Sequence, residues 1–304
     1  MDITLYIIGV VIAFGDPLFY SICNIIDAYY VNHSFRHFTS IIIYNSIISL
    51  LFLPVVFILD FPQFPPVSLL PIIFIVGAIE CFYQFPYFYA LKNADTSLVA
   101  SLFSIGRIFV PVLAFFIVGE QLVWWQYLGF FLITIATFFE SKKPGSFQVN
   151  KAFLFMLGTS LFFAIQTVLY KYIFESVSWG TGFVSVWIVA FMCAMSMLIY
   201  PKTISRLKKD FPVLKKNWKI FVVEELFDSM GGWCYTFATS LIPVSVVKGV
   251  SSTQSIVVLL LSIGLSKTKR FTSLIDEDAH KKIIKRKLFF YVLILTGAII
   301  IIWR

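Results

Sequence analysis

The chain has 304 residues, of which 59% are hydrophobic and only 13% charged, and its formal net charge is +8. Soluble domains carry about 25% charged and about 45–50% apolar residues, and a mean hydropathy of +0.89 leaves little surface for water. The composition points to a chain that crosses a membrane many times and leaves no room for a separate soluble domain.

Met1 and Asp2 supply no basic n-region, so the first apolar run reads as the first span rather than a cleaved signal. Ten apolar stretches follow in order, at 3–27, 37–59, 67–91, 94–118, 123–139, 151–174, 180–200, 219–241, 244–264 and 287–303, the fifth and tenth being short. A span needs about 20 apolar residues. Phe-Pro-Gln-Phe-Pro-Pro at 61–66 parts the second from the third, and Ser-Lys-Lys-Pro-Gly-Ser at 141–146 halves the chain. The expected organisation is a first five-helix unit at 1–140, a linker at 141–150, and a second unit at 151–304 with a charged insertion at 266–287.

The halves resemble each other. Shifted by 148 positions, Glu80 falls on Asp228, Tyr87 on Tyr235, Ser97 on Ser245 and Ser104 on Ser252, with eight identities between 76–113 and 224–261. An odd number of spans per unit forces the second unit to insert upside down. The expected fold is an all-α membrane protein of ten transmembrane helices in two inverted five-helix repeats.

Three features carry a family resemblance: Ala-Leu-x-x-Ala-x-x-Ser-Leu-Val-Ala-Ser at 90–101, Pro111 late in the fourth span, and Gly119-Glu120 after it. With the ten-span layout, the chain resembles the drug/metabolite transporter superfamily, EamA-like branch. The resemblance implies export or exchange of small metabolites by alternating access and leaves the substrate open. The second half departs from the pattern, because the 266–287 insertion stands where the Gly-Glu turn should recur. Gly119-Glu120 is expected to cap the fifth span.

Twenty of the 24 Lys and Arg residues fall in the loops after spans one, three, five, seven and nine, and only Arg304 lies on the other side. The positive-inside rule places those loops in the cytoplasm and both termini outside, whereas the resemblance implies cytoplasmic termini. The destination expected for the chain is the inner (plasma) membrane. Loops seven and nine are also candidate basic surface helices against anionic lipid headgroups. The positive charge needs no nucleic acid.

Charged groups inside a bilayer cost about 2.5–3.5 kcal/mol each on insertion scales, so they face a cavity, a partner or an end. Spans one, three, four, six, eight and nine hold them; the others hold none. Asp16, Tyr20, Asn24 and Asp27 share a helix face, as do Glu80, Gln84 and Tyr87, and Glu224, Asp228, Gly231 and Tyr235. The candidate substrate-binding residues are Asp16, Tyr20, Glu80, Tyr83, Gln84, Tyr87, Ser104, Arg107, Gln166, Asp228, Trp233, Tyr235, Lys248 and Ser252. Glu80 and Asp228 would bind a substrate ammonium or a proton, or form structural ion pairs with Arg107 or Lys248. Those two bases would clamp a carboxylate or phosphate, or neutralise an acid. Asp27, Lys171 and Glu224 lie near span ends and are expected in contact with solvent or headgroups.

The balance of acids and bases favours a zwitterion such as an amino acid. A nucleotide sugar, a nucleotide-like molecule or a sulfonium metabolite is the alternative. The histidines His33, His37 and His280 sit in loops or at helix ends, and no cysteine pair has metal-ligand spacing. No cofactor, metal site or catalytic group is therefore expected, and an enzyme or a non-transporting scaffold is the competing class. The charge-free fifth and tenth spans read as outer helices, for lipid contact or a homodimer seam.

Overall fold

The structure is a computed structural model that describes residues 2–93, 96, 99, 100, 102, 106–140, 151–266 and 281–303. Every regular element among them is helical. In chain order these are α1 (Ile3–Ala13), α2 (Gly15–Tyr29), α3 (Phe38–Ile48), α4 (Leu53–Leu59), α5 (Leu70–Phe82) and α6 (Gln84–Asn93). There follow α7 (Phe109–Val118), α8 (Trp124–Glu140), α9 (Lys151–Phe174), α10 (Trp179–Ser196) and α11 (Pro201–Leu241). The last are α12 (Val244–Ser251), α13 (Gln254–Ser266) and α14 (Lys281–Ile302).

Five helical stretches among the described residues are long and apolar enough to cross a membrane: Ile3–Ser34, Val67–Asn93, Phe155–Phe174, Trp179–Ile199 and Val244–Leu265. A sixth is Phe38–Leu51 with Leu53–Leu59, if its 41° bend lies within one span. The other four expected spans fall on the partly described 94–118 stretch, on the shorter apolar helices Trp124–Phe139 and Leu288–Ile302, and on the second half of α11.

Proline explains where the spans break. Pro17, Pro86 and Pro111 each stand third in the second piece of an interrupted span, in α2, α6 and α7. A proline lacks an N–H, and its ring crowds the carbonyl four residues back. Those carbonyls belong to Ala13, Phe82 and Arg107, and the helical ladder stops at Phe14, Tyr83 and Arg107–Ile108. The ninth expected span breaks at Ser252–Thr253 without proline. There Ser251, Ser252 and Thr253 turn their hydroxyls onto the carbonyls of Val247, Lys248 and Val250 at 3.0, 2.9 and 2.9 Å, bonds that compete with the regular ladder.

One expectation is corrected here. Residues 202–219 read as a basic loop, or a surface helix, apart from the eighth span, but α11 runs unbroken for 41 residues from Pro201 to Leu241, through Pro212. Its length is about 60 Å, twice a bilayer core. Pro201 starts the helix at a position where the missing N–H costs nothing. The basic half is then held against α3: Tyr44 Oη donates to the Leu207 carbonyl at 2.8 Å, and His37 Nδ1 lies 3.1 Å from Asp210 Oδ2.

Two corrections concern helix ends. Glu120 caps α12 rather than the fifth span: the Val244 and Ser245 amides donate to its carboxylate at 2.9 and 3.1 Å. Burial pushes this carboxyl up from its ordinary range, and the hydrogen bonds from Ser245 and Val244 pull it back down. Lys171 does not reach outward. Its Nζ donates to the Thr239 and Ile242 carbonyls at 3.1 and 3.4 Å, so a cation neutralises the negative end of α11.

Helix packing places α2 against α11 and α13, α9 against α5, α6 and α7, α5 against α10, and α3 against α11. The most extensive pair is α8 with α14. A Cβ at Gly129 would sit 2.7 Å from the Gly297 carbonyl oxygen, and one at Gly297 the same distance from that of Gly129. The fifth and tenth expected spans thus bury one face in each other, and expose Phe131 and Ile299 on the rest. Tyr6, Gln126 and Trp125 satisfy the last α14 carbonyls, at Ile302, Ile301 and Trp303, with bonds of 2.7, 2.8 and 3.1 Å.

Gly129→Ala should force α8 and α14 apart and lower stability by about 1–3 kcal/mol, the usual cost of overpacking. Gly158 has nothing within 4 Å of a Cβ, so Gly158→Ala in α9 should be neutral or gain up to about 1 kcal/mol. Thermal denaturation of both variants in detergent checks the contrast.

Candidate substrate cavity

The broken helices surround a cavity of about 150 Å³. Residues from both halves of the chain line it. Helix α2 contributes Asp16, Tyr20, Cys23, Asn24 and Asp27, and the α5–α6 break contributes Glu80, Tyr83, Gln84 and Tyr87. Arg107 enters from the break before α7, Glu224, Glu225 and Asp228 from α11, Lys248 from α12 and Gln254 from α13. Asn45 and Ser46 on α3, Ser49 just after it, Phe163 on α9, and Trp187 and Phe191 on α10 complete most of the wall.

Hydrogen bonds within and across the two halves hold these groups in place. Tyr87 Oη donates to Asn24 Oδ1 and Asp27 Oδ2, at 2.7 and 2.9 Å, sharing one proton between them. Gln166 Nε2 donates to Glu80, and Ser251 Oγ donates to Asp16. Arg107 Nη2 donates to Gln254 Oε1 at 3.1 Å, and Ser21 Oγ reaches the Gln254 carbonyl at 3.2 Å. The Lys248 ammonium lies 3.6 Å from the centre of the Tyr235 ring and 4.5 Å from that of Phe163, within the range of a cation–π contact. Tyr235 Oη in turn donates to Thr167 Oγ1 at 2.9 Å.

Nine of the sequence-derived candidates stand on the cavity wall: Asp16, Tyr20, Glu80, Tyr83, Gln84, Tyr87, Arg107, Asp228 and Lys248. Gln166 and Tyr235 stand behind it, touching Glu80 and Lys248. Ser252 returns its hydroxyl to its own helix. Trp233 packs against the Val56–Trp179–Val184 cluster and is not on the cavity wall. Ser104 lies outside the described residues.

The expected ion pairs with Arg107 or Lys248 do not form at close range. Among the described residues the one salt bridge is His37–Asp210. Asp27 and Glu224, expected at wet span ends, are 6% and 2% exposed and face the cavity. Helix α11 continues past the membrane boundary inferred from Lys219, so Glu224 is not near a helix end. The wall holds six acids, Asp16, Asp27, Glu80, Glu224, Glu225 and Asp228, against two bases, Arg107 and Lys248. The balance inferred from whole spans does not survive at the cavity, because Asp27 and Glu224, expected at wet ends, face it together with Glu225.

Sequence reasoning left out Asn24, Asp27, Glu224, Glu225 and Gln254 as site residues. The signal for Asn24 and Asp27 was present, since they share the face of Asp16 and Tyr20. Trp187 and Phe191 had no signal, because α10 is apolar throughout.

Tyr87→Phe removes the one donor shared by Asn24 and Asp27. Hydrogen bonds between membrane helices are worth about 0.6 kcal/mol on average and up to about 1.7 kcal/mol. A loss in that range is the expected outcome, read by thermal denaturation in detergent.

A search of curated protein sequences finds no match. One solved crystal structure, 14% identical, aligns over 96% of this chain and 97% of its own with a TM-score of 0.69, and so shares the fold. Residues 7–141 match the EamA-like transporter family, whose members are transporters of the drug/metabolite superfamily. This chain is thus a multi-pass membrane protein whose residues 7–141 are similar to the EamA-like transporter family.

Proposed function

We propose that the chain is a secondary transporter that carries a small amine-bearing metabolite, zwitterionic or cationic, by alternating access. The observation that carries the reading is the cavity itself, lined by charged side chains from both halves. Buried ionisable groups in a membrane chain are costly and ordinarily mark a transport path.

An inverted repeat of two five-helix units fits the packing. Helix α2 meets α11 as α9 meets α5 and α6, and it meets α13 as α9 meets α7; α5 meets α10 as α3 meets α11. The reciprocal Gly129–Gly297 contact supports a two-fold relation between α8 and α14. Their offset of 168 residues exceeds the 148 of the earlier helices by about the length of the 266–287 insertion. Rocking one unit against the other would open the cavity to alternate sides.

The acid excess favours an ammonium over a phosphate, and Arg107 with Lys248 can meet a substrate carboxylate. It weighs against nucleotide sugars, whose phosphates would face six carboxyls. The basic loops are assigned to the cytoplasmic side of the plasma membrane, against its anionic lipids.

Uptake of amino acids and small amines into proteoliposomes tests the reading. Glu80→Gln and Asp228→Asn should each lower the rate for the transported amine by ~10-fold, equivalent to about 1.4 kcal/mol. Absence of flux across an amine, amino-acid and nucleotide-sugar panel would overturn it.

A further inference from the structure

At one end of the cavity, α2 and α11 bring together groups about 200 residues apart in the chain. Cys23 Sγ and one carboxylate oxygen each from Glu224 and Asp228 all lie within 4.8 Å of one another. Cys23 and Glu224 are each 2% exposed. We propose that Cys23, Glu224 and Asp228 form a binding site for a divalent transition-metal ion of the zinc type, with Asp27 at its rim.

The cluster is unfinished as a set of side chains. Glu224 Oε2 has no hydrogen-bond partner among the described residues, and neither has Asp27 Oδ1 beside it on the same wall. Among the described residues no Lys or Arg nitrogen comes within 4.0 Å of these carboxylates. A buried carboxylate without a counter-charge costs several kcal/mol, and one divalent ion would meet the whole set. The donor types select the ion. Calcium and magnesium take six or more oxygens, whereas a thiolate with carboxylates suits zinc, cobalt or cadmium. Tetrahedral ligands at about 2.0–2.3 Å from zinc stand roughly 3.5 Å apart, so rotations of about an ångström close the site. A water or substrate group would fill the remaining position. On binding, the Cys23 thiol releases its proton to solvent and its sulfur forms the bond to the ion.

The sequence conceals the site because neither helix carries two ligands at metal spacing that include the cysteine. It shares the cavity of the transport reading but does not depend on flux. The test is a titration of the purified full chain in detergent with Cd²⁺, read by ultraviolet cadmium–thiolate absorption, and with Zn²⁺ by competition against a fluorescent chelator. The expected result is one equivalent per chain with thiolate absorption. Cys23→Ser should abolish that absorption, while Cys193→Ser, at a half-buried cysteine elsewhere, should keep it. Glu224→Gln and Asp228→Asn should each weaken Zn²⁺ binding at least tenfold while retaining the thermal transition of the unmutated chain. No saturable binding, absorption that survives Cys23→Ser, or amine binding at the cluster with no effect of metal would overturn the proposal. Failed titration with intact amine uptake would leave the transport reading standing, and the reverse would leave the metal site standing.

Discussion

A backbone carbonyl that loses its helical partner inside a bilayer must find another donor or face water. Pro17, Pro86 and Pro111 release such carbonyls in three spans, and the Ser251-Ser252-Thr253 run loosens a fourth. The breaks converge on one cavity rather than on lipid. Tyr83, Arg107 and Gln254 stand at or next to the breaks and line that cavity. The polar backbone and the polar side chains thus solve their solvation problem in the same place.

Two further polar helix ends are closed by charged side chains from elsewhere in the chain. Glu120, after α7, accepts from the first amides of α12; Lys171, late in α9, donates to the last carbonyls of α11. A carboxylate meets a positive helix end and an ammonium a negative one, as the peptide dipoles require. The Glu120 contact and the α8–α14 glycine contact tie the two halves together, while Lys171 ties α9 to α11 within the second. Between the ties lies the wall of carboxyls, tyrosines and two bases, where both halves contribute and no described acid has an ammonium or guanidinium at close range.

Much of this was legible from composition and spacing. The membrane class followed from 13% charge, and the cavity-facing stripe Asp16–Tyr20–Asn24–Asp27 followed from helical periodicity. The EamA-like character followed from 90–101, Pro111 and Gly119-Glu120. Loop seven, read as a basic loop or surface helix apart from the eighth span, is helical and continuous with that span, because lysine and arginine are good helix formers and Tyr44 and His37 hold the helix. Trp233, expected on the path, packs instead against the Val56–Trp179–Val184 cluster, because spacing along α11 cannot say which neighbour an aromatic meets.

By itself the sequence determined that the chain enters a membrane and which residues share a helix face, because these depend on composition and local periodicity. Only the tertiary structure decided the sign of the cavity. Whether a lysine faces an acid, a ring or a helix end is set by which helix lies opposite. Lys248 rests on Tyr235 and Phe163, Lys171 closes α11, and six acids are left facing two bases. The meeting of Cys23 with Glu224 and Asp228 belongs to the same class of fact, since α2 and α11 are far apart in the chain and adjacent only in the fold.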